Sequence, residues 1–115
     1  MIEIATRLWV GSQADFEALD VHGTTWSVVH ACKEPYHREA LGYTGLGGPR
    51  EHPEYLFAYR QDGGCNRLIL NMVDAPKPQF FADAMIDEAL TFISKAMEMG
   101  AKVLIHCNQG GSRAP

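Results

Sequence analysis

The sequence lacks both a membrane-spanning segment and an excess of positive charge. No apolar run approaches the roughly 18 residues that a transmembrane helix needs. The start, Met1-Ile2-Glu3-Ile4, has an acid in place of the basic residues of a secretory signal. Ten Lys and Arg stand against 14 Asp and Glu, so the formal net charge is −4. We therefore expect a cytoplasmic protein with one domain over residues 1–115 and neither nucleic acid nor a membrane as partner.

Cysteine is also scarce. The three cysteines, Cys32, Cys65 and Cys107, cannot all pair within one chain. Thiols in a reducing compartment are the expected state, which leaves one cysteine as a candidate for chemistry. The five histidines have no spacing typical of metal ligands. Neither a metal nor another cofactor is expected.

Short apolar runs predict the strands of a sheet. The segments 55–59 and 67–72 flank Asp62-Gly63, a turn sequence that favours a hairpin. The other predicted strands are Leu8–Val10, Trp26–His30 and Lys102–His106, of which the last is typical of the middle of a sheet.

Two helices are predicted between these strands. Ser12 is a suitable cap for a helix over 13–19, and a second helix lies between Pro78 and Gly100. The apolar stripe of this second helix comprises Ala82, Met85, Ile86, Ala89, Ile93, Ala96 and Met97. Strands interleaved with a long helix indicate an α/β sandwich.

The last predicted strand leads into His106-Cys107-Asn108-Gln109-Gly110-Gly111-Ser112-Arg113. A cysteine at the carboxyl end of a central strand occupies the usual ligand position of α/β sheets. Adjacent glycines let backbone N–H groups form an anion-binding nest, and Arg113 adds a planar donor for phosphate oxygens. These positive surroundings favour a thiolate at Cys107.

The spacing alone is not specific, because Cys32 and Arg38 repeat it. That copy has no glycine and carries Glu34 near the cysteine, so it serves as an internal control that should not bind phosphate. Strand, His-Cys, double glycine and Ser-Arg together distinguish the second copy.

The segment resembles the active-site loop of the protein tyrosine phosphatase superfamily, His-Cys-x5-Arg, and is most similar to the dual-specificity branch. The resemblance extends to Asn71-Met72-Val73-Asp74, which is similar to the general-acid loop, and to Leu8–Ser12, which is similar to the opening strand and turn. It implies a three-layer α/β sandwich with a mostly parallel central sheet between helices.

The resemblance also implies the role of each residue. Cys107 would attack phosphorus, and Asp74 would be the general acid and then the general base. Arg113, with the amides of residues 108–113, would bind the phosphoryl oxygens. Ser112 would assist departure of the thiolate, and His106 would orient the loop. Asp62 is a rival acid, although Asp-Gly in a hairpin is usually turn chemistry. The substrate would be a phosphorylated protein or peptide, carrying phosphotyrosine and by extension phosphoserine or phosphothreonine.

The sequence departs from the family pattern by stopping at Pro115, so that the helix and further helices expected after the loop are missing. We therefore expect a truncated phosphatase domain, or one whose uncovered face is covered by a second copy. Whether these 115 residues suffice for activity stays open.

Three other functions compete with a protein phosphatase. One is a phosphatase of a non-protein ester, such as a phosphoinositide, although residues 108–112 contain no basic side chain. Another is an inactive phospho-binding fragment. A rhodanese-type sulfurtransferase ranks below both, since its cysteine loop is usually shorter.

Cys32 is a candidate redox partner, because some members of the superfamily protect the nucleophile as a disulfide with a second cysteine. A reversible Cys32–Cys107 bond is therefore a hypothesis, against the alternative that Cys32 is a small buried side chain. Cys65 is interpreted as a structural or exposed thiol, and His22, His30, His37 and His52 as core or surface residues.

Overall fold

A six-stranded sheet forms the centre of the computed structural model, which describes residues 1–19, 26–45, 48–62, 64–72 and 83–107. The order of the strands across the sheet is β1-β2-β6-β3-β5-β4. Their bounds are Ile2–Ala5 (β1), Leu8–Gly11 (β2), Trp26–His30 (β3), Phe57–Asp62 (β4), Cys65–Leu70 (β5) and Lys102–His106 (β6).

The four inner strands, β2, β6, β3 and β5, run parallel to one another, whereas the outermost strands β1 and β4 pair antiparallel with β2 and β5. The predicted mostly parallel sheet is thus confirmed. β3 and β6 pair over their whole length, with Trp26 opposite Lys102 at one end and His30 opposite His106 at the other. The carboxyl ends of β2, β6, β3 and β5 consequently lie at one edge of the sheet, which we call the carboxyl edge.

In the described part of the chain, two short helices and one long helix accompany the sheet. They are α1 (Gln13–Glu17), α2 (Arg38–Leu41), which follows a wide, kinked helical turn over Lys33–His37, and α3 (Asp83–Glu98). Ser12 caps α1 as predicted: its hydroxyl accepts from the Asp15 N–H, while the Asp15 carboxylate accepts from the Ser12 N–H.

Alternation along the inner strands divides the core between two faces of the sheet. One face packs against α3, and the other packs against α1 and the segment that ends in α2. The α3 face contains Val29, Leu68, Leu70, Val103 and Ile105, and the opposite face contains Val28, Cys65, Ile69 and Leu104. Helices on both faces make an α/β sandwich, as the strand and helix pattern predicted.

The apolar stripe of α3 was predicted with one error. Met85 and Ala96 are buried against the sheet, but Ile86 is 38% exposed. Phe92, which was left out of the stripe, packs against the core in its place. A helical period of 3.6 leaves such boundary positions undecided when the sequence is apolar on both sides of the stripe. Ala82 lies outside the described residues.

The end of α3 follows the prediction. Gly100 adopts a left-handed backbone with φ of 81° and donates its N–H to the Met97 carbonyl. Ala101 donates to the Ala96 carbonyl, which closes the helix and turns the chain into β6.

The predicted hairpin is present as the antiparallel pair β4 and β5. Both strands lie closer to the turn than predicted: β4 begins two and ends three residues later, and β5 begins and ends two residues earlier. The first strand, β1, was not predicted. Its four residues are all exposed, so no buried face marks it in the sequence, and backbone pairing with β2 defines it.

Candidate functional site

Cys107 follows β6 directly at the carboxyl edge of the sheet, and only 2% of its surface is exposed. Its side chain packs in the cluster on the α3 face, with Val29, Ala31 and Ile105. The predicted ligands Asn108, Gln109, Gly110, Gly111, Ser112 and Arg113 lie outside the described residues. The structure therefore places the predicted nucleophile at the end of a central parallel strand, where α/β sheets usually bind ligands.

Backbone hydrogen bonds join the ends of three strands at this edge. Ala31, just after β3, donates its N–H to the carbonyl of His106 at 2.8 Å. Lys33 donates its N–H to the carbonyl of Met72, just after β5, also at 2.8 Å. The segment after β3 thus connects the chain that leads to Cys107 with the chain that leads to Asp74. Asp74 itself lies outside the described residues.

His106 is fully buried on the opposite face of the sheet from the Cys107 side chain. Its Nδ1 lies 3.3 Å from the backbone oxygen of Cys107, and its Nε2 lies 2.6 Å from Nδ1 of His30. His30 is also fully buried. The predicted supporting residue His106 therefore contacts the candidate nucleophile through the main chain.

Arg67 extends this contact to a third strand. Its Nε donates to Nε2 of His30 at 2.9 Å. Sequence reasoning missed both Arg67 and His30 as parts of the site. The available signal was a polar residue within each of two buried strands, β3 and β5, because a buried polar side chain requires a hydrogen-bonding partner.

Aromatic rings enclose the two histidines. Phe16 stacks on His106 with ring centroids 5.3 Å apart, and Tyr36 stacks on His30 at 4.3 Å. The guanidinium of Arg67 lies over the rings of Phe16 and Tyr36 as well. These rings exclude water from the pair and hold the imidazole planes in place.

Burial makes both imidazoles poor bases. It lowers the pKa of His30 well below its usual value, and the positive charges of a protonated His106 and of Arg67 lower it further. Burial likewise lowers the pKa of His106 to about 4, outweighing the raising effect of its hydrogen bond to the Cys107 backbone. Both rings are thus neutral near pH 7.

Comparisons with family models, curated proteins and solved structures return no match. The site is therefore interpreted from its own residues. Among the residues that the structure describes, no group of three or more His, Cys, Asp or Glu side chains could hold a metal ion. Within those same ranges, no helix is long and apolar enough to cross a membrane.

The three cysteines are all buried thiols rather than disulfides. Cys32 packs with Tyr36, Ala58 and Ile69, on the opposite face of the sheet from the Cys107 side chain. The structure thus brings the two backbones to neighbouring strand ends without bringing the side chains into one cluster. The Cys32–Cys107 disulfide stays a hypothesis. Cys65 packs in a third cluster on the same face as Cys32.

The Cys-x5-Arg sequence from Cys32 to Arg38, the internal control, does not form a phosphate-binding loop. Arg38 donates from Nε to the Glu34 carboxylate at 2.6 Å, and from Nη1 to the carbonyls of Tyr43 and Gly45. This hydrogen bond and ion pair with Arg38 lower the pKa of Glu34. Arg38 therefore fixes the loop after α2, and its donors are engaged within the protein.

A cavity of about 710 Å³ lies away from these residues. Its walls include Trp26 at the amino end of β3, Tyr59 on β4, and Phe92, Lys95 and Gly100 at the end of α3. Since Trp26 begins the strand that His30 ends, the cavity is at the opposite edge of the sheet from Cys107.

Proposed function

We propose that the protein is a cysteine-dependent phosphomonoester hydrolase of the dual-specificity type, with a phosphotyrosine-phosphatase-like fold. Its substrates are phosphotyrosine and, by extension, phosphoserine or phosphothreonine in a protein or peptide. The observation that carries the proposal is the position of Cys107. It begins a Cys-x5-Arg segment directly after a central parallel strand, and buried His106 lies against its carbonyl oxygen.

The reaction has two displacements at phosphorus. In the first, the Cys107 thiolate forms an S–P bond while the bond to the leaving oxygen breaks, and Asp74 donates a proton to that oxygen. In the second, water attacks phosphorus, Asp74 takes a proton from the water, and the S–P bond breaks to release inorganic phosphate. Ser112 donates a hydrogen bond to the departing thiolate.

Electrostatic stabilisation comes from the loop that follows Cys107. Charge in the transition state is spread over three equatorial phosphoryl oxygens. Backbone N–H groups of residues 108–113 and the guanidinium of Arg113 donate to these oxygens. The same donors favour the thiolate form of Cys107 in the resting enzyme.

The convergence of strand ends supports Asp74 as the general acid. The Met72 carbonyl accepts the Lys33 N–H, and Ala31 bonds to the His106 carbonyl, so the chain at residue 72 joins the edge that carries Cys107. Asp74 is two residues further on, which corresponds to about 7 Å of extended chain. No comparable connection links Asp62 to this edge among the described backbone hydrogen bonds, because Asp62 pairs with Cys65 at the other end of the hairpin.

The test is hydrolysis of p-nitrophenyl phosphate by the wild-type chain, Cys107→Ser and Cys65→Ser. Cys65 provides a matched control, because it is a buried thiol in a different cluster. We expect Cys107→Ser to lower kcat by more than roughly 10³-fold and Cys65→Ser to retain turnover. A phosphorylated Cys107 trapped by rapid acid quench and identified by peptide mass would establish the intermediate.

Two results would contradict the proposal. One is a folded wild-type chain that neither turns over nor becomes phosphorylated, in which case binding of a phosphopeptide without turnover would favour the inactive module. The other is turnover that Cys107→Ser leaves unchanged.

A further inference from the structure

Three side chains, the half-buried Arg67 and the fully buried His30 and His106, form a continuous row across the inner strands. Arg67 on β5, His30 on β3 and His106 on β6 are linked by contacts of 2.9 and 2.6 Å, and the row ends at the Cys107 carbonyl. We refer to these three side chains as the Arg67 row. Arg67 is at one end of it and the candidate nucleophile is at the other.

The chemistry of Arg67 determines the direction of every hydrogen bond in the row. A guanidinium donates and cannot accept, so Nε2 of His30 carries a lone pair. Neutral His30 then carries its proton on Nδ1 and donates to Nε2 of His106. Neutral His106 consequently carries its proton on Nδ1 and donates to the Cys107 carbonyl. One cation thus specifies two tautomers.

The opposite tautomers would place two lone pairs against each other. If His106 carried its proton on Nε2, its bare Nδ1 would face the oxygen of Cys107, and its Nε2–H would face the Nδ1–H of His30. A protonated His30 would likewise present an N–H to the Nε–H of Arg67. The row therefore has one arrangement in which all contacts are attractive.

We propose that Arg67 and His30 are positioning residues for Cys107. By fixing the tautomer of His106, they hold the carbonyl of Cys107, and with it the orientation of the Cys107 backbone from which the sulfur projects. This inference rests on the proposed function, since it assigns the row to the reaction at Cys107. Neither residue contacts the substrate.

The test compares two substitutions at Arg67 with a control on the neighbouring strand. Arg67→Met keeps the aliphatic length but removes the donor, whereas Arg67→Gln removes the charge but keeps an N–H donor. Arg60 is the control, because it is the register partner of Arg67 and its guanidinium binds Glu54 and the Ala40 carbonyl instead.

The expected readouts are kinetic and spectroscopic. Arg67→Met should lower kcat for p-nitrophenyl phosphate by about tenfold or more, since a misplacement near 1 Å can cost about 10²-fold. Arg67→Gln and Arg60→Met should stay within about threefold of wild type. Imidazole ¹⁵N NMR should show His106 protonated on Nδ1 in the wild type and mixed between tautomers in Arg67→Met, with circular dichroism confirming that each variant is folded.

Three results would overturn the inference: wild-type His106 protonated on Nε2, a folded Arg67→Met with wild-type kcat and tautomer, or an Arg67→Gln as impaired as Arg67→Met. If Arg67→Met does not fold, the tautomer of His106 in the wild type and the kcat of Arg67→Gln still test the inference. A wild-type chain without Cys107-dependent turnover overturns the proposed function and the kinetic effect. In that case the NMR measurement still reports separately whether the row runs from Arg67 to Cys107.

Discussion

The main-chain N–H of Lys33 donates to the carbonyl of Met72 at 2.8 Å, which fastens the segment after β3 to the segment after β5. Ala31 likewise donates its main-chain N–H to the His106 carbonyl. Residues 31–33 are therefore hydrogen-bonded on one side to the chain just before Cys107 and on the other to the chain just before Asp74. The position of Cys107 relative to Met72, two residues before Asp74 in the sequence, therefore depends on a few backbone hydrogen bonds as well as on side chains.

Asp74→Asn should lower kcat for p-nitrophenyl phosphate by about 10²–10⁴-fold, because the amide cannot protonate the leaving oxygen. Asp62→Asn is the matched control, since Asp62 is the rival acid in the sequence. This substitution should leave kcat nearly unchanged. Steady-state rates measured across a range of pH check both variants. The limb of the pH–rate profile that is due to the general acid should disappear in Asp74→Asn alone. The assignment would be wrong if Asp62→Asn had the larger effect.

Acid should destabilise the fold through its buried histidines. Burial lowers the pKa of His30, His37 and His106, the last to about 4. The unfolded chain binds these protons near pH 6.5 while the folded chain does not, so stability is full above about pH 6.5 and falls towards pH 4.

Each of these histidines contributes a slope of up to about 1.4 kcal/mol per pH unit in that window. Urea unfolding at pH 7.5, 6 and 5 measures the effect directly. A free energy of unfolding that is the same at pH 7.5 and pH 5 would contradict this prediction.

Leu104→Ala should lower the free energy of unfolding by about 2–5 kcal/mol. Leu104 lies on the middle strand β6 and is fully buried, so truncation leaves a cavity under α1. Leu90→Ala on α3 is the same change at a side chain that is 62% exposed, and we expect an effect within about 0.5 kcal/mol. Chemical denaturation of both variants checks the pair, and equal losses would show that the sheet face is packed differently.

The Cys32–Cys107 hypothesis predicts a cross-linked tryptic peptide after treatment with hydrogen peroxide, which takes one hydrogen atom from each thiol and becomes two molecules of water. Since the two side chains start on opposite faces of the sheet, the cross-link requires a backbone rearrangement after β6. Cys65→Ser should keep the cross-link and Cys32→Ser should abolish it. Mass spectrometry with and without reductant is the measurement, and a peptide map with no such cross-link would refute the hypothesis.

Sequence patterns predicted the parts of the fold that are buried on both sides. β3 and β6 were predicted at their observed bounds, Trp26–His30 and Lys102–His106, because a short apolar run between turn signals has few alternatives. By contrast, β1 is defined by main-chain pairing with β2. The exposure of Ile86 depends on how α3 is rotated about its own axis. Neither leaves a periodic signal in the side chains.

Only the residues of the candidate site that are contiguous in the sequence were predicted. Cys107 and His106 are contiguous in the sequence, and the motif contains them both. His30 and Arg67 are separated from His106 by 76 and 39 positions, and only the register of three parallel strands brings them together. Long-range register is set by the whole core, so a short motif carries no record of it.

Successive residues of a strand face opposite sides of a sheet, and Cys107 and His106 follow this rule although one of them is just past the end of β6. The thiol of Cys107 and the imidazole of His106 thus lie on opposite faces of the sheet, in different parts of the core. Substitutions on the α3 side can change what reaches the sulfur, and substitutions among Phe16, Tyr36 and Arg67 can change how firmly its backbone is held. In the proposed enzyme, substrate selectivity and alignment of the thiol would thereby be open to independent mutation, although Cys107 and His106 are neighbours in the chain.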